Sequence, residues 1–199
     1  MTSLFQTKDL TTEIKTKIKN KNKIQLQKNL NTKLKLCKRY QALSNAIPKI
    51  TMGENIHYVS MGSWSNHDLV NHLLQQIGPA EFLFCTWSVS DIAVKSILNN
   101  LKNGQVTKLT GVLDWRVKSY RPEIFSFMQF NIARLRITTC HAKCFVLINN
   151  NFQIAVVTSA NFTNNPRIEA GVICCDEIAA KFHKNWILQE YEKSNPFSI

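Results

Sequence analysis

The sequence predicts an α/β sandwich, a mixed β-sheet flanked by helices, with a basic extension at its N-terminal end. Two patterns carry the fold class. Strand-like and helix-like segments alternate from Asn55 to about Leu101, a run of strands follows, and one helix closes the chain; that order builds a sheet with helices packed on it. The run Glu81 to Val89 (EFLFCTWSV) is almost continuously apolar, as suits a strand buried on both faces. A third pattern divides the chain. Of the 25 Lys and Arg, twelve precede Thr51, beside only two of the 13 Asp and Glu. The net charge of +12 is thus concentrated in residues 1–50, read as an extension, and residues 51–199 form the domain.

In residues 1–50, Lys15, Lys17, Lys19, Lys21 and Lys23 alternate with other residues. Ile14 and Ile18, then Leu26, Leu30 and Leu34, stand four apart. That spacing predicts one or two basic amphipathic helices, or a partly disordered segment. The Ile24-Gln25-Leu26 and Leu34-Lys35-Leu36 alternations also suit short strands. Such a segment can clamp a polyanion, lie on an acidic membrane, pack on its own domain or stay solvated. The apolar residues from Ile14 to Leu36 are modest, and no Trp or Phe is set among them for lipid insertion, which favours nucleic acid over a membrane.

From Asn55, NIHYVSMGSW reads as a strand ending in a Gly-Ser turn. Asn66-His67-Asp68 opens a helix through Leu69, Leu73, Leu74 and Ile77, closed by Gly78-Pro79. The strand EFLFCTWSV follows. Ser90-Asp91 caps a helix bearing Ile92, Val94, Ile97, Leu98 and Leu101, ended by Asn103-Gly104. VTKLTGVLDW is the next strand, Pro122 starts a short helix, and ARLRIT is a strand. A hairpin, the strand EAGVICCD and a helix from about Asp176 to Tyr191 complete the order. In open α/β sheets function gathers where strands end. Three such ends carry small polar and aromatic groups: Ser60 to Trp64, Thr86 to Ser88, and Asp114-Trp115-Arg116. Trp64, Trp87 and Trp115 can stack on bases or simply fill the core. Arg116, Lys118 and Arg121 can hold a phosphate backbone or be solvated surface charges.

Composition narrows the function classes. No run of about 18 apolar residues is present, which argues against a transmembrane helix. The start, MTSLFQTKDLTTEIK, has no charged-then-apolar leader pattern, so a cytoplasmic protein without stable membrane association is expected. The six Cys follow no small-secreted framework and read as reduced, buried thiols. Cys140, His141 and Cys144 cluster, with Cys174-Cys175 on a candidate neighbouring strand, but the spacings match no zinc finger or ribbon. No cofactor or metal is expected.

The richest stretch runs from Cys140 to Gly171. His141 and Lys143 are two apart, so on a strand both leave the same face, and Ser159 and Asn161 repeat that geometry on a second strand. Asn149-Asn150-Asn151 is the turn between them. The reading is a hairpin with an imidazole and an ammonium on one strand and a hydroxyl and a carboxamide on the other. Such a pocket suits a phosphate: Lys as a point charge, Asn and Ser as donors, His as nucleophile or proton carrier. The alternative is a buried hairpin with a satisfied core His and turn-forming Asn. Polar residues on matched faces of two apolar strands weigh against it.

HAK, fifteen residues, SAN-FT, and Glu169, with seven residues between it and Asn161, together resemble the signature of the phospholipase D superfamily. The resemblance covers roughly residues 51–193 and implies that family's α/β sandwich. It also implies that His141 attacks a phosphodiester to form a phosphohistidine, that Lys143 and Asn161 bind the phosphate oxygens, that Ser159 is a supporting donor, and that Glu169 orients the imidazole. Two positions depart from the pattern. The family's Asp falls on Ile148, with Asn149 beside it, and the Gly before the Ser is Thr158. A working site in the family uses two such motifs, and this sequence holds a single H-x-K. One His cannot easily be both nucleophile and general acid in one in-line displacement, so a C2 homodimer is expected, with His141 and its symmetry mate facing one phosphate. The function so implied is a metal-independent phosphodiesterase, a nuclease on DNA or RNA. The alternatives are an inactive nucleic-acid-binding module of the same fold and a phospholipid phosphodiesterase.

Overall fold

A computed structural model describes residues 31–39, 41–164 and 166–193, and the stretch holding Lys15, Lys17, Lys19, Lys21 and Lys23 lies outside them. The chain divides after Leu30, and residues from Asn31 onward form one unit. Eight strands make a single sheet: β1 (Asn31–Leu36), β2 (Glu54–Ser60), β3 (Ala80–Thr86), β4 (Val106–Asp114), β5 (Leu135–Thr138), β6 (Cys144–Ile148), β7 (Gln153–Thr158) and β8 (Glu169–Cys175). Among the described residues, six helices accompany them: α1 (Leu43–Ala46), α2 (Asn66–Ile77), α3 (Asp91–Lys102), α4 (Arg116–Tyr120), α5 (Pro122–Asn131) and α6 (Glu177–Lys193). The strand order is β1-β2-β8-β7-β6-β3-β4-β5. The sheet is mixed: β1 with β2 and β3 with β4 and β5 run parallel, whereas β8, β7, β6 and β3 meet antiparallel. The expected mixed-sheet α/β sandwich is what the chain forms.

Period-two alternation on the central strands sorts side chains to the two faces. Phe82 and Phe84 of β3, Phe145 and Leu147 of β6, and Ile154 and Val156 of β7 enter the larger core, beneath α2, α3 and α5. Leu83, Cys85, Cys144, Val146 and Ala155 face the other way, onto Ala180 and Ile187 of α6. Both faces are covered, which is why EFLFCTWSV shows no polar alternation. The helices begin where capping chemistry directs. Ser65 and Asp68 form a capping box at α2, and the Ser90 hydroxyl accepts from Ala93 N at 3.3 Å at α3.

Two features differ from the sequence reading. The sheet begins at Asn31, inside the stretch read as the extension, because β1 pairs along β2 and Lys33 forms an ion pair with Glu54 at 2.7 Å. The Leu34-Lys35-Leu36 alternation, which suits a short strand as well as a helix, falls in β1 with both leucines exposed. The second is α4, a single helical turn directly after β4. None of the described helices is long and apolar enough to cross a membrane.

Candidate functional site

The strand directions bring the ends of β2, β3, β4 and β7 together with the starts of β6 and β8, and the singled-out residues gather at that end. Cys85 of β3 lies opposite Cys144 of β6, and Ser60 of β2 lies opposite Glu169 of β8. His141 and Lys143 sit just before β6 rather than within it, and Ser159 and Asn161 sit just after β7. The hairpin is as expected, with its chemistry at the open end. Thr158 N donates to Lys143 O at 3.0 Å, so the two segments remain in register as they leave the sheet.

Each segment is anchored by something buried. Phe162 is fully buried against Phe82, Phe84 and Phe145, and its backbone bonds to Ser88 and Ser90. That plug fixes the chain at Asn161, whose Oδ1 accepts from the Thr86 hydroxyl at 3.3 Å. The buried Asn66 of α2 donates from Nδ2 to Ala160 O at 2.7 Å. Ser159 donates to Glu169 Oε2, and its hydroxyl accepts from Ala170 N at 3.0 Å. The Lys143 ammonium donates to His141 O at 2.7 Å and lies 3.4 Å from His141 Nδ1. Burial pushes its pKa down, with Cys140 and Glu169 pulling the other way.

Trp87, just past β3, joins this group to a second one. Its ring centroid is 5.5 Å from the His141 ring, and the Arg116 guanidinium lies over the ring 5.1 Å from the centroid, within cation–π range. Arg116 is held by the fully buried Asp114 through Nε at 2.6 Å and Nη2 at 3.2 Å. Asp114 also accepts from the backbone N of Cys140 at 3.0 Å. Burial works against ionising this carboxyl, but the bonds from Arg116 and Cys140 bring its pKa below the ordinary value. Asp114 therefore ties the loop preceding His141 to the end of β4. Of the basic residues singled out beside it, Arg116 reaches the group through Trp87, whereas Lys118 and Arg121 are exposed on and after α4. Trp115 packs on the larger core.

The structure of a phospholipase D family member, Nuc from Salmonella typhimurium, superposes with a TM-score of 0.54 and 18% identity, covering 73% of this chain and 100% of that one. The fold is that of the phospholipase D superfamily. NucT from Helicobacter pylori gives a TM-score of 0.55 at 15% identity, over 72% of this chain and 100% of that one. A polyphosphate kinase from Porphyromonas gingivalis gives 0.52 at 15%, over 73% of this chain and 27% of the kinase. No family model matches the sequence, and no curated protein matches it.

In this phospholipase D fold the two departures have structural places. Ile148 ends β6 opposite Glu81, at the far end of the hairpin from His141. Asn149 beside it bridges from Nδ2 to Ile77 O at 2.9 Å, and its Oδ1 accepts from Asn151 N and Phe152 N. Thr158, at the Gly position, accepts from Ala160 N at 3.1 Å and donates to Ala170 O at 3.2 Å. Thr86, Asn66 and Asp114 complete the anchoring. No local spacing links them to the motif, and only the position of Thr86 and Asp114 at strand ends hinted at them. Among the described residues, no group of three or more His, Cys, Asp or Glu is placed to hold a metal ion.

Proposed function

We propose that the protein is a metal-independent phosphodiesterase acting on DNA or RNA, with His141 as nucleophile. The observation that carries this is the convergence of His141, Lys143, Ser159, Asn161 and Glu169 on one end of a phospholipase D-type sheet. His141 is exposed at that end, so its imidazole can meet a phosphorus atom from solvent. The Lys143 ammonium and the Asn161 amide neutralise and orient the phosphoryl oxygens, which favours the transition state electrostatically. Ser159 holds the Glu169 carboxylate, whose proposed role is to orient the imidazole through its other nitrogen. Arg116, stacked on Trp87, extends the positive surface toward a neighbouring phosphate. The basic N-terminal segment, with Lys15 to Lys23, adds a salt-sensitive grip on the strand.

A homodimer completes the site, because one His supplies the nucleophile and its mate the proton for the leaving oxygen. The exposed Leu34, Leu36 and Val157 border an open apolar groove of about 610 Å³ shared by β1, β2, β8 and β7, which is the surface proposed for the second copy. An inactive module would draw its support from Ile148 and Thr158, the two departures from the family pattern. The first is remote from His141 and the second makes its own hydrogen bonds, which favours the enzyme.

The test is cleavage of labelled single- and double-stranded DNA and RNA in EDTA, wild type beside His141→Ala. Cutting by wild type alone is expected. Binding without cutting by both proteins, each dimeric, would replace the enzyme with a binding module.

A further inference from the structure

Two thiols lie against the candidate site and take no part in the chemistry proposed for it. Cys85, fully buried on β3, and Cys140, half-buried in the segment between β5 and β6, have their Sγ atoms 2.8 Å apart. A disulfide bond is about 2.05 Å long, so closing the pair needs a sulfur shift of less than about 1 Å. The two partners are unequal. Cys140 is open enough to meet a small solute, whereas Cys85 is sealed between β4 and β6 beneath α6. The Cys140 backbone is fixed by its bond to Asp114, and Cys85 is fixed in the sheet, so their approach is set by the fold.

We infer that Cys85 and Cys140 form a peroxide-reactive dithiol that closes to a disulfide beside His141. The Cys140 thiolate attacks one oxygen of hydrogen peroxide; the O–O bond breaks, water leaves after protonation, and sulfur is oxidised to a sulfenic acid. Cys85 sulfur then attacks the Cys140 sulfur, the S–O bond breaks, and its hydroxyl departs as a second water with the Cys85 proton. Two thiols and one peroxide give one disulfide and two waters.

The surroundings assign the roles. The hydrogen bond from Cys85, the backbone N–H of Ala142 and the charge of Lys143 lower the Cys140 pKa, against burial and the Asp114 charge. Cys85 is pushed up, first by that hydrogen bond and then by burial, as suits the resolving partner. Cys144 is the nearest competitor, directly opposite Cys85 in the sheet. It is 2% exposed, its thiol lies 3.3 Å from His183 Nδ1, and burial raises its pKa to about 12, so peroxide meets Cys140 first. The disulfide would pin the residue immediately before His141 to the central strand.

The test needs no substrate, so it stands or falls apart from phosphodiester cleavage. The full chain is treated with hydrogen peroxide, its remaining thiols are alkylated, and trypsin is added. Cleavage after Lys143 separates Cys140 from Cys144, and Cys85 lies on a third peptide. Wild type is expected to lose two of its six alkylatable thiols and to yield a Cys85–Cys140 linked peptide that dithiothreitol abolishes. Cys140→Ser should lose none, and Cys85→Ser should trap a dimedone-reactive sulfenic acid on Cys140. The wild-type link is read without any variant having to fold. Peroxide-treated wild type lacking that link, or linking through Cys144 in its place, overturns the inference.

Discussion

The two ends of the β6–β7 hairpin use similar residues in opposite ways. At the closed end, Asn149 spends both side-chain atoms on backbone groups of the turn and of residues 77 and 79. Glu81 beside it is paired with Lys184 at 2.6 Å and Lys108 at 3.3 Å. At the open end, Lys143 makes no ion pair among the described residues and is steadied by a carbonyl, while Glu169 takes the Ser159 hydroxyl. One end satisfies its polar groups internally and closes a turn. The other keeps a cation and an imidazole near solvent, held from behind by Thr86, Asn66, Phe162 and Asp114. What marks a candidate site here is where the polar atoms are directed, since residue type is shared by both ends.

That contrast can be broken at either end. The largest effect is expected at the open end: His141→Ala should lower the metal-free cleavage rate by about a thousandfold or more. Its unfolding temperature should stay put, because His141 is exposed. Next comes the anchor. Phe162→Ala should cost about 3–5 kcal/mol in urea unfolding and weaken cleavage along with stability. Lys143→Ala should reduce kcat/KM by about a hundredfold with little change in stability.

Asp114 gives a pH test. Its pKa is lower in the folded state, so the stability it contributes is present above the ordinary carboxyl range and is lost as pH falls through the folded-state value. Asp114→Asn should cost roughly 1–3 kcal/mol near neutrality, and urea curves taken at falling pH should show the mutant and wild type converging in acid. The smallest effect is expected at the closed end. Asn149→Ala should cost about 1–2 kcal/mol and leave cleavage unchanged, which separates the turn from the chemistry.

Much of this could be read in the chain. Ser65 and Ser90 announced two helices through capping, and the apolar run from Phe82 to Thr86 announced the central strand. The spacing of His141, Lys143, Ser159, Asn161 and Glu169 placed the candidate site, because residues flanking one hairpin are close in sequence. β1 was legible only as one alternative: the Leu34-Lys35-Leu36 alternation suits a short strand, but Leu34 and Leu36 face outward among lysines, so no buried period decides between strand and helix. The support from Thr86 to Asn161 spans 75 positions, and that from Asn66 to Ala160 spans 94, distances that only the sheet order closes. The Cys85–Cys140 approach was hidden for the same reason, since β3 and the loop before β6 meet only in the folded sheet.

In the proposed reaction the imidazole at the open end attacks phosphorus. The most direct measurement is mass spectrometry of protein quenched in alkali during turnover of an oligonucleotide in EDTA, seeking a nucleotide bound to His141. An adduct on His141 is expected in wild type and none in His141→Ala. Cleavage that proceeds equally in His141→Ala, or with no adduct at His141 in a quenched time course, would contradict attack by His141.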